Sequence, residues 1–403
     1  FSAGLVAKHP LLNFKAKLSF WNGNISFNNA TFGGDISFKG ANFGDGILDF
    51  NNAEFKGGDV SFSSTQFGKG DVSFECATFG EGDVTFSGAT FRGGNVFFRV
   101  TNFGNGNINF VDTNFGNGHV FFDRIKYHKG DINFHQAESG SGIVTLENTN
   151  YEDGNVSFND AHMSNVLFRD NQFKSIVDLR FKHINELIIQ DCTIEKILKI
   201  NGCPKSLSFL DTINLGHIYV DWENSKIYRA IKRGMVLCIS NREITREKQT
   251  NIDKANQFRM LKENYHTIGD YDAEDKAYRA YMKFWTNTKP KKWPLKFFSL
   301  IGGYGTRPLR IIIAMLVSWI AFAALYFLKF SDQFHLLKHK IMAIRTFSDA
   351  LYYSGITFLT IGYGDIAPAV TGTALRFVSI AEGFVGLFLM SYLTVAVVRK
   401  ILR

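Results

Sequence analysis

At 403 residues the chain has room for two or three domains, and its 41 phenylalanines and 37 glycines set it apart from an average composition. The net charge of +8 gathers in the C-terminal half, where it flanks apolar stretches, so a membrane surface and not nucleic acid is the expected partner. Cys76, Cys192, Cys203 and Cys238 lack metal-ligand spacing, and a disulfide framework is not expected at this size; nor does a basic segment followed by an apolar run mark a signal peptide.

The phenylalanines form a ladder. Phe27, Phe32 and Phe38 begin it, and from Phe43 to Phe122 the gaps alternate seven and five, a repeat of twelve residues. Tyr127, Phe134, Leu146, Tyr151, Phe158 and Met163 continue it, with Ser139 as a polar lapse. Two positions before each Phe stands a small or β-branched residue, as in ATF at 77–79 and VTF at 84–86. A spacing of two puts both on one face of a strand. GEGD, RGGN and GNGN between them are turn composition. A fixed short period of this kind signals a solenoid with like residues stacked coil on coil. The A-x-F-x-x half of each unit resembles pentapeptide-repeat proteins over residues 25–175. That resemblance implies a right-handed quadrilateral β-helix. Two extra residues in every second side suggest a coil of 24 residues and a rod on the order of 25–30 Å.

The rod reads as a rigid spacer or as a sensor for an unknown cytoplasmic ligand or protein. A DNA-mimicking role needs an acidic face, which Lys56, Lys69, Arg92, Arg99 and Arg124 interrupt. No His, Asp or Glu cluster recurs at one rung, so no enzyme activity and no cofactor are expected. Residues 181–222 still alternate like strands and read as degenerate closing coils, giving a cytoplasmic solenoid over 1–222. From 223 to 288 glycine nearly vanishes and charge rises. There Ile252, Ala255, Phe258 and Leu261, then Ala273, Ala277, Ala280, Tyr281 and Phe284, predict a helical hairpin turning at Gly269. Residues 289–308 mix Lys289, Lys291, Lys292 and Lys296 with Trp293, Phe297, Phe298 and Leu300, an amphipath suited to a membrane interface. Its GYG, at 303–305, is crowded by basic residues and reads as a bend.

Two apolar runs, 309–330 and 375–398, are long enough to span a bilayer. Basic residues before the first and after the second predict cytoplasmic termini. Between them lie a stretch too short to span, 346–358, and TIGYGD, 360–365. A non-helical segment survives at that depth only by lining a water or ion path. Gly362 and Gly364 accept positive φ, so alternating backbone hands turn successive carbonyls to one side. Four such strands around an axis would replace the water shell of K+ with the oxygens of Thr360, Ile361, Gly362 and Tyr363. Ile361 and Tyr363 would then pack behind, and Asp365 would stand at the outer mouth. The preceding helix would aim its negative end at the cavity.

This order of span, half-helix, TIGYGD and span resembles the pore of bacterial two-transmembrane potassium channels over residues 308–400. The resemblance implies a multi-pass homotetramer in the inner (plasma) membrane, K+ as transported ion, and gating by the second span in a pore domain of 309–403. Gly386 stands where the family carries a hinge glycine, with Gly383 as a nearby alternative; close helix packing is the other reading of both. Some family members place a Glu behind the filter where this chain has Ile356, so filter support falls to Tyr353 and Asp365. Glu382, in mid-span, is expected to face the cavity or the half-helix. Neither span carries a voltage sensor's Arg repeat. The expected regulator is therefore the N-terminal part, acting on the first span through the interfacial helix and not directly on the second. A weakly selective cation channel and a membrane-tethered scaffold with a vestigial pore are the competing readings.

Overall fold

The computed structural model describes residues 23–402 apart from 128, 202–203, 221–225, 241–242, 331–333, 337–343, 345, 363–365 and 369–372. It divides into two compact units, Phe1–Phe284 and Trp285–Arg403. In the first, short strands stack in parallel. Val60, Val84, Ile108, Ile132 and Val156 are successive partners, so each coil takes 24 residues, two sequence repeats. Two nine-stranded sheets run along the solenoid, from Ile25–Ser26 to Ser206–Leu210 and from Ile36–Ser37 to His217–Val220. Nine coils at this spacing measure roughly 38 Å. That exceeds the rod expected from the ladder, because coiling continues through the loosened segment.

The ladder phenylalanines fill the interior. Phe50, Phe74, Phe98 and Phe122 stack face to face, with centroids 5.0, 5.1 and 4.8 Å apart. A second column of Phe62, Phe86, Phe110 and Phe134 meets the first edge-on, as in the 84° pair of Phe74 and Phe86. These rings are fully buried. Each aromatic pair contributes roughly 0.5–1.5 kcal/mol beyond the burial itself. The Ser139 lapse is accommodated by a hydrogen bond: its Oγ accepts from the Ser164 N–H at 3.1 Å.

Corners explain the turn residues. The Asp59 carboxylate accepts the Asp83 N–H, Asp83 the Asn107 N–H, and Asn107 the Asp131 N–H, at 2.7–2.9 Å. Each side chain thus satisfies a backbone donor of the next coil that would otherwise lack a partner. The glycine just before this ladder is equally constrained. A Cβ on Gly106 would lie 2.0 Å from the Gly82 carbonyl oxygen. A second corner carries a feature absent from the sequence reading. Asn52, Ser64, Cys76, Val100, Asp112, Arg124, Gln136 and Asn148 all have φ between 52° and 58°. Even Val100 and Arg124 adopt the left-handed form, at roughly 1–2 kcal/mol each. Their N–H groups are held by carbonyls of the next coil, Asp123 and Glu147, at 2.8 and 3.0 Å.

Beyond Glu147 the coils contract. Partners are 22 residues apart at Glu147–Arg169, 21 at Arg169–Gln190 and 20 at Gln190–Leu210. The strands meanwhile lengthen to as many as eight residues. Helix α1 (Lys226–Arg233) follows, then an antiparallel hairpin, Met235–Ser240 with Glu243–Lys248. Helices α2 (Asn251–Thr267) and α3 (Tyr271–Thr288) form the expected helical pair. The β-hairpin corrects the all-helical reading of this connector; VLCIS and EITREK alternate, but charge and the loss of glycine masked it. The buried face of α2 is Ala255, Phe258, Leu261 and Tyr265, whereas Ile252 is exposed, contrary to expectation. Phe258 stacks on Phe284 of α3 at 5.7 Å.

Helix α2 also closes the solenoid. The Gln257 side-chain oxygen accepts the Phe209 N–H at 2.9 Å. The Asn264 amide accepts the Ile218 N–H at 2.7 Å and donates to the Ile218 carbonyl at 2.8 Å. One side-chain amide thereby imitates the strand of a further coil.

At one corner a histidine stands in for Asp or Asn. The Asn95 side chain accepts the His119 N–H at 2.9 Å, and His119 Nδ1 accepts the Ile143 N–H at 3.2 Å. That acceptor role requires the neutral ring. Burial, and then the Arg246 guanidinium, hold the His119 pKa below its ordinary 6.5. Folded and unfolded chains then bind equal protons above about pH 6.5. Below it the unfolded chain takes up a proton that the folded one resists, and stability falls. His119→Asn restores the ordinary acceptor. Urea unfolding is expected to show a smaller loss of stability between neutral and mildly acidic pH in this variant than in the parent.

A candidate conduction site

Helix α5 (Pro308–Lys329) begins on a proline at its first position, where no backbone donor is lost. Its 22 residues extend about 33 Å. It and α7 (Thr373–Ile401) are the two helices among the described residues long and apolar enough to cross a membrane. Between them α6 (Phe347–Phe358) has 12 residues, too few to cross. A capping box starts it: Thr346 Oγ1 accepts the Asp349 N–H at 3.2 Å, and Asp349 accepts the Thr346 N–H at 3.0 Å.

At its other end α6 unwinds into the candidate filter. The Ile361 and Gly362 N–H groups both point to the Ile356 carbonyl, at 2.9 and 3.4 Å. Thr360 has φ 56° and Gly362 φ 60°, while Ile361 between them does not have positive φ, so the backbone hand alternates. Left-handed geometry at Gly362 follows the sequence reading; at Thr360 it was not anticipated. Gly364 lies outside the described residues, as do Tyr363 and Asp365. Ile361 was expected to pack behind the filter, but in the single chain it is 48% exposed. Nothing within one chain covers it.

Three helices meet behind this segment. Glu382 of α7 is fully buried. Its Oε2 accepts from the Tyr326 hydroxyl of α5 at 2.6 Å, and its Oε1 is hydrogen-bonded to Ser354 Oγ of α6. Ser354 also reaches the Trp319 carbonyl at 3.1 Å, and the Trp319 indole N–H donates to the Leu351 carbonyl at 3.0 Å. Tyr353 was expected to support the filter beside Asp365. Its hydroxyl instead meets Ser379 Oγ of α7 at 2.9 Å, and its ring meets Tyr326 edge-on at 5.1 Å. Sequence reasoning missed Ser354, Tyr326, Trp319 and Ser379. A polar Ser in a half-helix and a Tyr within an apolar run were the available signals.

The second GYG is a bend. Helix α4 (Trp293–Gly302) ends there, and Gly303, Tyr304 and Gly305 have φ 55°, 60° and 81°. Helix α4 packs on α7: Phe298 meets the Tyr392 ring at 5.5 Å, and the Tyr392 hydroxyl donates to the Phe298 carbonyl at 3.1 Å. This corrects the expectation that the interfacial helix would reach only the first span. Trp293 and Leu300 are each 77% exposed on its other face, beside the exposed Lys292 and Lys296.

Gly386 and Gly383 differ sharply. A Cβ on Gly386 would lie 2.0 Å from the Phe358 carbonyl oxygen, whereas one on Gly383 finds its nearest neighbour at 3.9 Å. Close approach of α7 to the end of α6 therefore accounts for Gly386 without invoking a hinge. Gly386→Ala is expected to destabilise the purified chain in detergent by roughly 1–3 kcal/mol. Gly383→Ala is expected to stay within about 0.5 kcal/mol of the parent. Thermal unfolding of both variants checks the contrast.

Residues 314–403 match the protein-family model described as "Ion channel", and residues 21–66 match the one described as "Pentapeptide repeats (9 copies)". The coils themselves continue well past the second match, to Val220. No curated protein and no solved structure matches the chain. The chain therefore joins a pentapeptide-repeat β-solenoid at its N-terminal side to an ion-channel domain of the two-span type.

Proposed function

We propose that the chain is a potassium-selective channel that conducts K+ passively through the axis of a homotetramer. The carrying observation is the alternation of backbone hand at Thr360–Gly362, at the foot of a helix too short to cross the membrane. Such alternation turns peptide oxygens to one side. With TIGYGD as the sequence, four copies supply rings of oxygen at Thr360, Ile361, Gly362 and Tyr363 in place of water. The exposure of Ile361 in one chain supports the assembly, since neighbouring copies would bury it. The C-terminal end of α6, with its partial negative charge, favours a cation at the inner side. Lysines around α4 and Arg399 and Lys400 at the end of α7 support cytoplasmic termini in a plasma membrane, the bacterial inner membrane in our reading. The solenoid then serves as a cytoplasmic scaffold or gating module. Its influence on the pore runs through α4, whose contact with α7 supports a route to the second span.

The test is ion flux from liposomes containing the purified full chain. Reversal potentials in mixed sodium and potassium are expected to follow the potassium gradient. Gly362→Ala forces a left-handed alanine, at roughly 1–2 kcal/mol in each of four copies, and is expected to abolish the flux. Equal permeation of sodium would establish a weakly selective channel. Absence of flux from the parent chain would leave a tethered scaffold with a vestigial pore.

A further inference from the structure

The buried cluster behind the filter has a proton-counting problem whose solution assigns it a role. Ser354 Oγ lies within hydrogen-bond distance of two acceptors, the Trp319 carbonyl oxygen at 3.1 Å and Glu382 Oε1. A serine hydroxyl has one proton and serves one of them. Glu382 Oε2 takes the Tyr326 hydroxyl proton at 2.6 Å. Were the carboxyl ionised, one close oxygen pair would hold no proton, and a charge would sit fully buried between two spans. The count closes when Glu382 carries the proton itself. The chain of donation then runs from Tyr326 to Oε2, from Oε1–H to Ser354, and from Ser354 to the Trp319 carbonyl. Every donor and acceptor is used once, and the cluster is neutral.

Resting on the channel reading above, we infer that Glu382 is a neutral hydrogen-bonded strut that ties the half-helix bearing Thr360–Gly362 to both spans, and through which displacement of the second span reaches the filter. It is a positioning residue: it touches Ser354 and Tyr326 and not the conduction path. Four turns of geometry place it there. Residue 382 lies one helical turn before Gly386, where α7 comes closest to the last carbonyl of α6. Ser354 lies one turn before Phe358, whose carbonyl is that contact. Polar strut and backbone contact thus share one helix crossing. A shift of α7 strains both at once, a few residues from Thr360.

The experiment compares the full chain with Glu382→Gln, Glu382→Ala and Ser354→Ala in planar bilayers. Glutamine offers an N–H to Ser354 and a carbonyl to Tyr326, the same pattern as the protonated acid. Glu382→Gln is expected to keep open durations within about twofold of the parent. Glu382→Ala and Ser354→Ala, each removing a buried hydrogen bond, are expected to shorten openings by about tenfold. That shortening should depend on whether K+ or Rb+ occupies the filter, while the reversal potential is unchanged. A Gln variant as impaired as the Ala variant, or Ala variants indistinguishable from the parent, would overturn the strut. Infrared difference spectra of the parent against Glu382→Gln at neutral pH supply a readout free of conduction. A protonated-carboxyl stretch lost in the variant is expected, and carboxylate bands alone would overturn the inference. A parent chain that carries no K+ current sinks the channel reading separately, whatever the spectra show.

Discussion

Backbone amides that water does not reach must find partners within the protein, and both halves of this chain are organised by that requirement. In the solenoid, strands of two residues make almost no sheet by themselves. Their donors and acceptors are matched by the coil before and the coil after, with Asp and Asn side chains filling the corners. The stack ends only where Gln257 and Asn264 offer amides in place of another coil. In the membrane half, α6 stops at a depth where no strand follows it. The Ile356 carbonyl gathers two N–H groups as the chain turns, and the oxygens beyond are left for something else to satisfy.

Packing follows from the same rule by different means. Stacked phenylalanines fill the solenoid because an interior lined by backbone on every side has room for flat apolar rings and none for polar groups. Between the spans the filling is polar: a carboxyl, two hydroxyls and an indole N–H, each used. An apolar core gives no directional preference between neighbouring helices in lipid, whereas hydrogen bonds do. The arrangement holds three helices of unlike length at one crossing.

Legibility tracked the distance over which a signal operates. The coil length was readable because Phe and small residues recur locally, and Asp or Asn after glycine marked the corners. Once coils shortened and Ile and Leu replaced Phe, alternation survived but the period did not. The hairpin at 235–248 was hidden because its charged, glycine-poor segment lies beside true helices. Left-handed Val100 and Arg124 carry no residue-type signature at all. Their conformation is imposed by hydrogen bonds to a coil 23 residues away. The candidate filter was found from its local motif and its flanks. The Glu382 cluster was half seen: the cost of an acid in a span predicted a polar partner, but Ser354 and Tyr326 lie 28 and 56 residues upstream. No short-range pattern joins them.

The glycine column has a consequence for how such a chain can grow. Each corner glycine rests against its counterpart one turn earlier, as Gly106 does on Gly82 and Gly130 on Gly106. Adding or removing a few residues in the regular part would carry a larger side chain into that gap and throw every ring out of its stack. Tolerated length variants among such rods would therefore come in whole windings, each adding about 4.8 Å of reach, so that the rod changes size like a ruler read only at its marks.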